Sequence, residues 1–329
     1  VTRSGRPGPP RRRSVARTLL VLLAVALVVV LVLLLLWYLL AGRLTTPGPG
    51  EPQVPGAEPP TSQPASCPDV FVLSVPGTWE SNAADDPYAP TANPISLMLN
   101  VTQPLQQQFG PERAEVYTVP YVAQFSNPVA FPPDGQASYN VSRSEGAAKA
   151  NEILAQRSSE CPLTSYVLAG FSQGAVIVGD LAASIGAGSG PVPADRVLGV
   201  TVIADGRRDG TSAQQIGPPV DGVGAEVALG GLDVPGITMT GARQGGFGAL
   251  ADRTFSICAP GDLICAAPPE AMSLRNIPSS LTALAGAAGN PVHGNYARYV
   301  IDDAGTTATQ WTANWAAGLV ASAPTPAHS

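Results

Sequence analysis

The chain has 329 residues, long enough for one large domain with a sizeable core. Only 13 % are charged, and 35 Gly and 34 Pro are more than helices and strands can absorb, so part of the chain reads as linker. The net charge of −6 conceals an asymmetry: residues 1–43 hold seven Arg and no acid, leaving 11 basic against 24 acidic residues, or −13, in the remainder. An acidic body argues against a nucleic-acid-binding domain, and two histidines, His293 and His328, exclude multi-histidine zinc sites and any HExxH protease.

Residues 1–18 form a basic N-terminus containing Arg11, Arg12, Arg13 and Arg17. Residues 19–41 are an uninterrupted apolar run that, as a helix, measures about 34 Å, enough to cross a hydrocarbon core. Trp37 and Tyr38 stand near its far end, and only Arg43 follows closely, so the charge bias keeps the N-terminus cytoplasmic and sends the rest outside. The run is longer than the apolar core of a cleaved signal peptide. Residues 42–66, dominated by Pro, Gly, Thr, Ser and Glu, read as a tether. A folded domain is expected over 67–321, with 322–329 as a tail.

Within the domain, strands are expected at Val70–Val75, Glu115–Val122, Tyr166–Ala169, Val197–Ile203 and Thr254–Cys258. Ser142-x-x-Glu145 reads as a capping box opening a helix to about Arg157, and an apolar helix runs from Gln173 to about Ile185. Closing helices are expected at Tyr296–Val300 and Thr309–Val320, the latter with Trp311 and Trp315 on one face. Strands alternating with helices predict an α/β fold with a mostly parallel central sheet and helices on both faces. Residues 206–253 and 266–292 are Gly/Pro/Ala-rich excursions. Cys67, Cys161, Cys258 and Cys265 all follow the apolar run. In an exported chain they read as two disulfides, with three connectivities open.

Gly170-Phe171-Ser172-Gln173-Gly174 lies between an expected strand and helix, where a strained turn presents a serine hydroxyl. His293 is the only histidine inside the folded part, and it follows Ser172 in the order used by α/β-hydrolases. The acid that orients the imidazole is expected between them. Asp262, in a tight loop that a Cys258–Cys265 bridge would close, is favoured over Asp205, which follows the Val197–Ile203 strand. Asp209, Asp221, Asp233 and Asp252 read as solvated. The backbone N–H of Gln173 and that of Thr78, in Pro76-Gly77-Thr78-Trp79-Glu80, are candidate oxyanion donors. The latter segment reads equally as an ordinary Pro-Gly turn. Asn100-Val101-Thr102 and Asn140-Val141-Ser142 match a glycosylation sequon, which is silent in a bacterial chain. No nucleotide-binding glycine motif is present, and no cofactor or metal is expected.

Taken together, Pro-Gly-Thr-Trp-Glu, Gly-Phe-Ser-Gln-Gly and Cys-x-x-Gly-Asp-x-x-Cys before a histidine resemble the cutinase family of serine esterases over most of 67–300. The apolar run, tether and long excursion look most like membrane-attached members from mycolic-acid-containing actinobacteria. The resemblance implies a cutinase-like α/β-hydrolase with a Ser172–Asp262–His293 triad, Thr78 and Gln173 at the oxyanion hole, and Cys67–Cys161 and Cys258–Cys265 bridges. It further implies hydrolysis of lipid carboxylic esters, of phospholipase or thioesterase type, by a monomer in the cell envelope. Acyl transfer by the same triad is the enzymatic alternative, and a silent envelope-binding domain the non-enzymatic one. The stretch 206–253 departs from compact cutinases by its length. It is expected to line an acyl groove through Met239 and Phe247 or to act as a lid, against the alternative of packing away from the site.

Overall fold

Val70–Val75 is buried at all six positions, which requires a sheet covered on both faces. The computed structural model describes residues 22–23, 25, 27–32, 60–127, 130–268, 275, 277–287 and 290–329. The chain divides into two units, Val1–Pro59 and Pro60–Ser329. Most of the expected 19–41 span lies outside the described residues, as do 1–18 and 42–59. Its described positions are helical, and among the described residues no helix is long and apolar enough to cross a membrane.

In chain order the second unit begins with β1 (Ser62–Gln63), β2 (Val70–Val75), α1 (Leu99–Gln108), β3 (Ala114–Thr118) and α2 (Tyr139–Glu160). It continues with β4 (Ser165–Phe171), α3 (Gln173–Gly186), β5 (Val197–Ile203), β6 (Gln214–Ile216) and α4 (Ala225–Ala228). Then come β7 (Asp233–Val234), β8 (Ile237–Thr238), β9 (Thr254–Ile257), α5 (Ile277–Ala287), α6 (Ala308–Ser322) and β10 (Ala327–His328). Six strands form one wholly parallel sheet in the order β3-β2-β4-β5-β9-β6.

Strand alternation divides the core in two. Val70, Val72, Val167 and Ala169 face Val101 and Leu105 of α1 and Ala316 of α6. Phe71, Leu73, Tyr166 and Leu168 face Leu154 of α2 and Ile177 and Leu181 of α3. Trp311 and Trp315 do share a face of α6, each packing edge-on against Phe255 with centroids 5.7 Å apart.

Several local expectations give way to tertiary partners. The helix expected from Ser142 starts three residues earlier, with Ser138 capping it by accepting the Val141 N–H. Ser142 Oγ instead accepts the Gln124 N–H and bonds the Val122 carbonyl, so a cap competed with a tertiary contact and lost. Tyr296–Val300 is not a helix: a single 3₁₀ turn, His293–Asn295, precedes it, and Tyr299 is tied to Ala308 by an antiparallel-type backbone bond. Helix α1 escaped notice because Pro104 lies inside it. β6 escaped because three polar-rich residues inside a Gly-rich stretch carry no strand pattern.

Both domain edges also move outward. Gln63 is buried, its amide bonding Pro68 O and Leu163 N, and β1 pairs with β10 in parallel. His328 Nε2 lies 2.9 Å from Asp69, and that carboxylate also takes Arg113 at 2.7 Å. The residues expected as the end of the tether and as a C-terminal tail therefore belong to the folded unit.

Both implied disulfides are formed, Cys67–Cys161 across 94 residues and Cys258–Cys265 across 7. Replacing Cys67 and Cys161 together by Ser is expected to lower unfolding free energy by about 4 kcal/mol in a chain-entropy estimate. Urea titration reads the loss, and specific activity of the folded fraction stays unchanged.

Candidate active site

The turn between β4 and α3 lies at the C-terminal end of a central strand of the parallel sheet. Ser172 sits there with φ 54° and ψ −120°, a conformation costly for a residue with a Cβ. Two close approaches enforce it. A Cβ at Gly170 would strike the Gly174 backbone, and one at Gly174 would strike the Val75 and Pro76 carbonyls. The Ser172 N–H is spent on Ile203 O at 2.9 Å, which pins the turn to β5.

The chain then delivers two further groups to the same end of the sheet. His293 Nε2 lies 2.8 Å from Ser172 Oγ, and its Nδ1 lies 2.9 Å from Asp262 Oδ2. Ser172 and His293 are each 6 % exposed and Asp262 is fully buried. Phe171 stacks on the imidazole with centroids 5.1 Å apart, so the residue beside the serine also orients its partner. Asp262 Oδ1 accepts the Ile264 N–H at 2.9 Å inside the loop closed by Cys258–Cys265. The sequence-derived serine, histidine and aspartate thus form one hydrogen-bonded chain.

Asp205, the rival acid, is engaged elsewhere. Its carboxylate holds Arg243 Nη1 at 2.6 Å and the Arg207 N–H at 3.0 Å. Arg243 and Arg207 also reach Asp180 on α3, at 2.9 and 2.7 Å. Burial opposes the Asp180 charge, yet Arg243, Arg143 and Arg207 hold its carboxyl below the ordinary range. This cluster clamps the 206–253 excursion to α3. Of the four acids expected to be solvated, Asp221, Asp233 and Asp252 are exposed. Asp209 is partly covered and accepts from Thr211 and Ser212.

Thr78 and Gln173 both border Ser172. As the first residue of α3, Gln173 has a backbone N–H with no intrahelical acceptor. Among the described residues no acceptor meets the Thr78 N–H, whereas the amides on either side are used. Gly77 donates to Glu80 Oε2 and Trp79 to Ala123 O. Glu80 is half-buried and also accepts from Leu97 N and Ser96 Oγ, so one carboxylate ties the Pro76–Glu80 turn to the segment leading into α1. Burial raises its pKa, against the pull of those donors. Trp79 takes a positive φ of 64° to complete the turn.

A pocket of about 50 Å³ opens at Ser172, with Phe125, Met239, Ile264 and Leu284 among its apolar walls. That is room for a short run of substrate atoms. Met239 therefore does line the site, as the sequence led us to expect. Phe247 does not: it is buried in the core against α3, under the Arg243 guanidinium at 5.4 Å. Among the site residues that carry no mark in the sequence are Glu226 in the pocket wall and Tyr296, which donates to Asp262 Oδ2 at 2.7 Å. The spacing His293-x-x-Tyr296 carries no signal without the turn that brings both rings together.

A family model described as Cutinase matches residues 66–276. The chain belongs to the cutinase family. It is 48 % identical over 279 residues to the "Carboxylesterase Culp6 homolog" of Corynebacterium glutamicum, covering 83 % of this chain and 87 % of that one. It is 28 % identical over 164 residues to the "Probable carboxylesterase Culp5" of Mycobacterium tuberculosis, covering 49 % and 76 %. Among solved structures, the catalytic core of acetyl xylan esterase from Trichoderma reesei aligns at 18 % identity with a TM-score of 0.46, covering 78 % of this chain and all of that one. This member of the cutinase family is a carboxylic ester hydrolase with the cutinase-like α/β-hydrolase fold.

The two acids are separable by mutation. Asp262→Asn is expected to cost about 10⁴-fold in kcat on a p-nitrophenyl ester, by the cost of losing an orienting carboxylate. Asp205→Asn leaves the Ser172–His293 contact in place and is expected to cost about 1–3 kcal/mol of stability, by removing the charged partner of two Arg243 hydrogen bonds while Asp180 still holds the guanidinium. Steady-state kinetics beside thermal unfolding distinguishes the two; a crippled Asp205→Asn with a mild Asp262→Asn reverses the assignment.

Proposed function

We propose that this chain is a serine esterase acting on lipid carboxylic esters, of phospholipase or thioesterase type, on the outer side of the cell membrane. The observation that carries the reading is the hydrogen-bonded chain from Ser172 through His293 to buried Asp262, beside a pocket with apolar walls. His293 takes the Ser172 proton as Oγ attacks the ester carbonyl. The Thr78 and Gln173 N–H groups receive the oxyanion, and His293 returns the proton to the leaving alcohol or thiol. Water, deprotonated by the same imidazole, then releases the acid from the acyl-enzyme. No cofactor enters this scheme. An acceptor alcohol in place of water makes the same site an acyltransferase.

The placement outside the membrane is supported by the two disulfides and by the apolar 19–41 run behind a basic N-terminus. A monomer tethered by that run, with its acidic body turned away from nucleic acid, is the form we expect in the envelope.

Ser172→Ala is expected to abolish turnover of an ester series and of phospholipid vesicles, together with fluorophosphonate labelling, in a protein with unchanged circular dichroism. Labelling that survives in the mutant removes Ser172 from the mechanism. Met239→Ala is expected to shift the ratio of long-chain to butyryl ester hydrolysis, because it enlarges the pocket wall. Phe247→Ala leaves that ratio alone and lowers stability by about 3–5 kcal/mol, the usual cost of emptying a buried phenyl site.

A further inference from the structure

Asp262 Oδ2 receives two donors where orienting the imidazole needs one. His293 Nδ1 stands 2.9 Å away and the Tyr296 hydroxyl 2.7 Å away, on the same oxygen. The phenol is itself fixed. Its oxygen accepts the Ala259 N–H at 2.9 Å and touches Cys265 Sγ at 3.3 Å, while its ring meets Phe171 edge-on with centroids 5.8 Å apart. Tyr296 is fully buried, and its single proton goes to the carboxylate, a far stronger acceptor than the disulfide sulfur. A Phe would fill the same apolar space, and only the hydroxyl distinguishes the residue that is present.

We propose that Tyr296 is a positioning residue for the Ser172–His293–Asp262 chain: its hydroxyl, held by the Ala259 amide and the Cys258–Cys265 bridge, spreads the negative charge of Asp262 and fixes the carboxylate plane. The inference rests on the triad reading above. Its consequence is directional. Without the phenol proton, the Asp262 carboxylate keeps more charge density, and the His293–Asp262 pair holds an added proton more tightly on whichever member carries it. Because burial and the Asp262 carboxylate push the phenol well above its ordinary value, it stays a donor throughout the working range.

Other groups face this pair, and they fix what the experiment compares. Glu80 and His293 feel each other's charge, while Arg208, donating to Cys265 O at 2.7 Å, and Tyr299 act on Tyr296. All three are identical in wild type and variant, so their influence cancels in the difference.

The test is the pH dependence of kcat/KM for p-nitrophenyl butyrate in wild type and Tyr296→Phe. We expect the acid limb to move up by about half to one pH unit and the plateau to fall about tenfold. In Asp262→Asn the same Tyr296→Phe change is expected to have little further effect, because the two act as one unit. In a His328→Gln background only one imidazole remains, so its NMR titration must move in the same direction as the limb, with or without turnover. If Tyr296→Phe fails to fold, 3,5-difluorotyrosine at position 296, a stronger donor of nearly the same shape, is expected to move the limb down instead. An unmoved limb and titration overturn the proposal, even if the plateau falls. Turnover that survives Ser172→Ala overturns the triad reading itself and leaves the imidazole titration as the measure of Tyr296.

Discussion

Everything at the site depends on how closely the β4–α3 turn can approach β2. Gly174 lies against the carbonyls of Val75 and Pro76, and Gly170 lies against Gly174 itself, so neither position has room for a Cβ. That contact forces the left-handed backbone at Ser172, and the strain is met by the Ser172 N–H bond to Ile203. The same contact fixes the spacing between the first turn of α3 and the Pro76–Glu80 turn. The two candidate oxyanion donors, Gln173 and Thr78, belong to those two turns. Their separation is therefore set by backbone packing, which reorganises little as charge develops on a substrate.

The acid–imidazole half of the site is held by a different device. It lies beyond β9, where no helix begins immediately, so a short disulfide supplies the rigidity that a helix supplies to Ser172. Cys258–Cys265 encloses Asp262, and Tyr296 fastens the loop to the segment carrying His293 through Ala259 N and Asp262 Oδ2. Phe171, stacked on the imidazole and edge-on to Tyr296, joins the two halves. A residue named in the sequence only as the variable position of the elbow is thus the contact between nucleophile turn and acid loop.

What was legible in the sequence follows from how local each signal is. The elbow, the lone histidine of the domain and Asp262 between paired cysteines each occupy a few consecutive residues with restrictive chemistry. Buried parallel strands such as Val197–Ile203 read clearly as apolar runs. Signals failed where a tertiary partner decided between local options. Ser142 was free to cap a helix until Val122 and Gln124 claimed its hydroxyl, and Pro104 concealed α1 although its first turn packs well. Glu226 and Tyr296 carry no local mark at all. Their importance comes from Tyr139 and Arg143 in one case and Asp262 in the other, all distant in sequence.

The 206–253 excursion posed a choice between a lid and a wall, and its charges decide it for the described residues. Arg243 and Asp205, both nearly buried, pair with each other. Arg243 and Arg207 also reach Asp180 on α3, and Glu226 binds Arg143 and Tyr139 of α2. Swinging the segment away separates several of these pairs at once, among them the Arg243–Asp205 pair, whose two side chains are nearly buried. Ala225, Glu226 and Met239 bound the pocket as part of this clamped segment. The Gly-rich composition that suggested mobility instead serves the tight turns at Gly210, Gly217, Gly222 and Gly231, each at positive φ, by which the segment folds back onto α3 and the sheet.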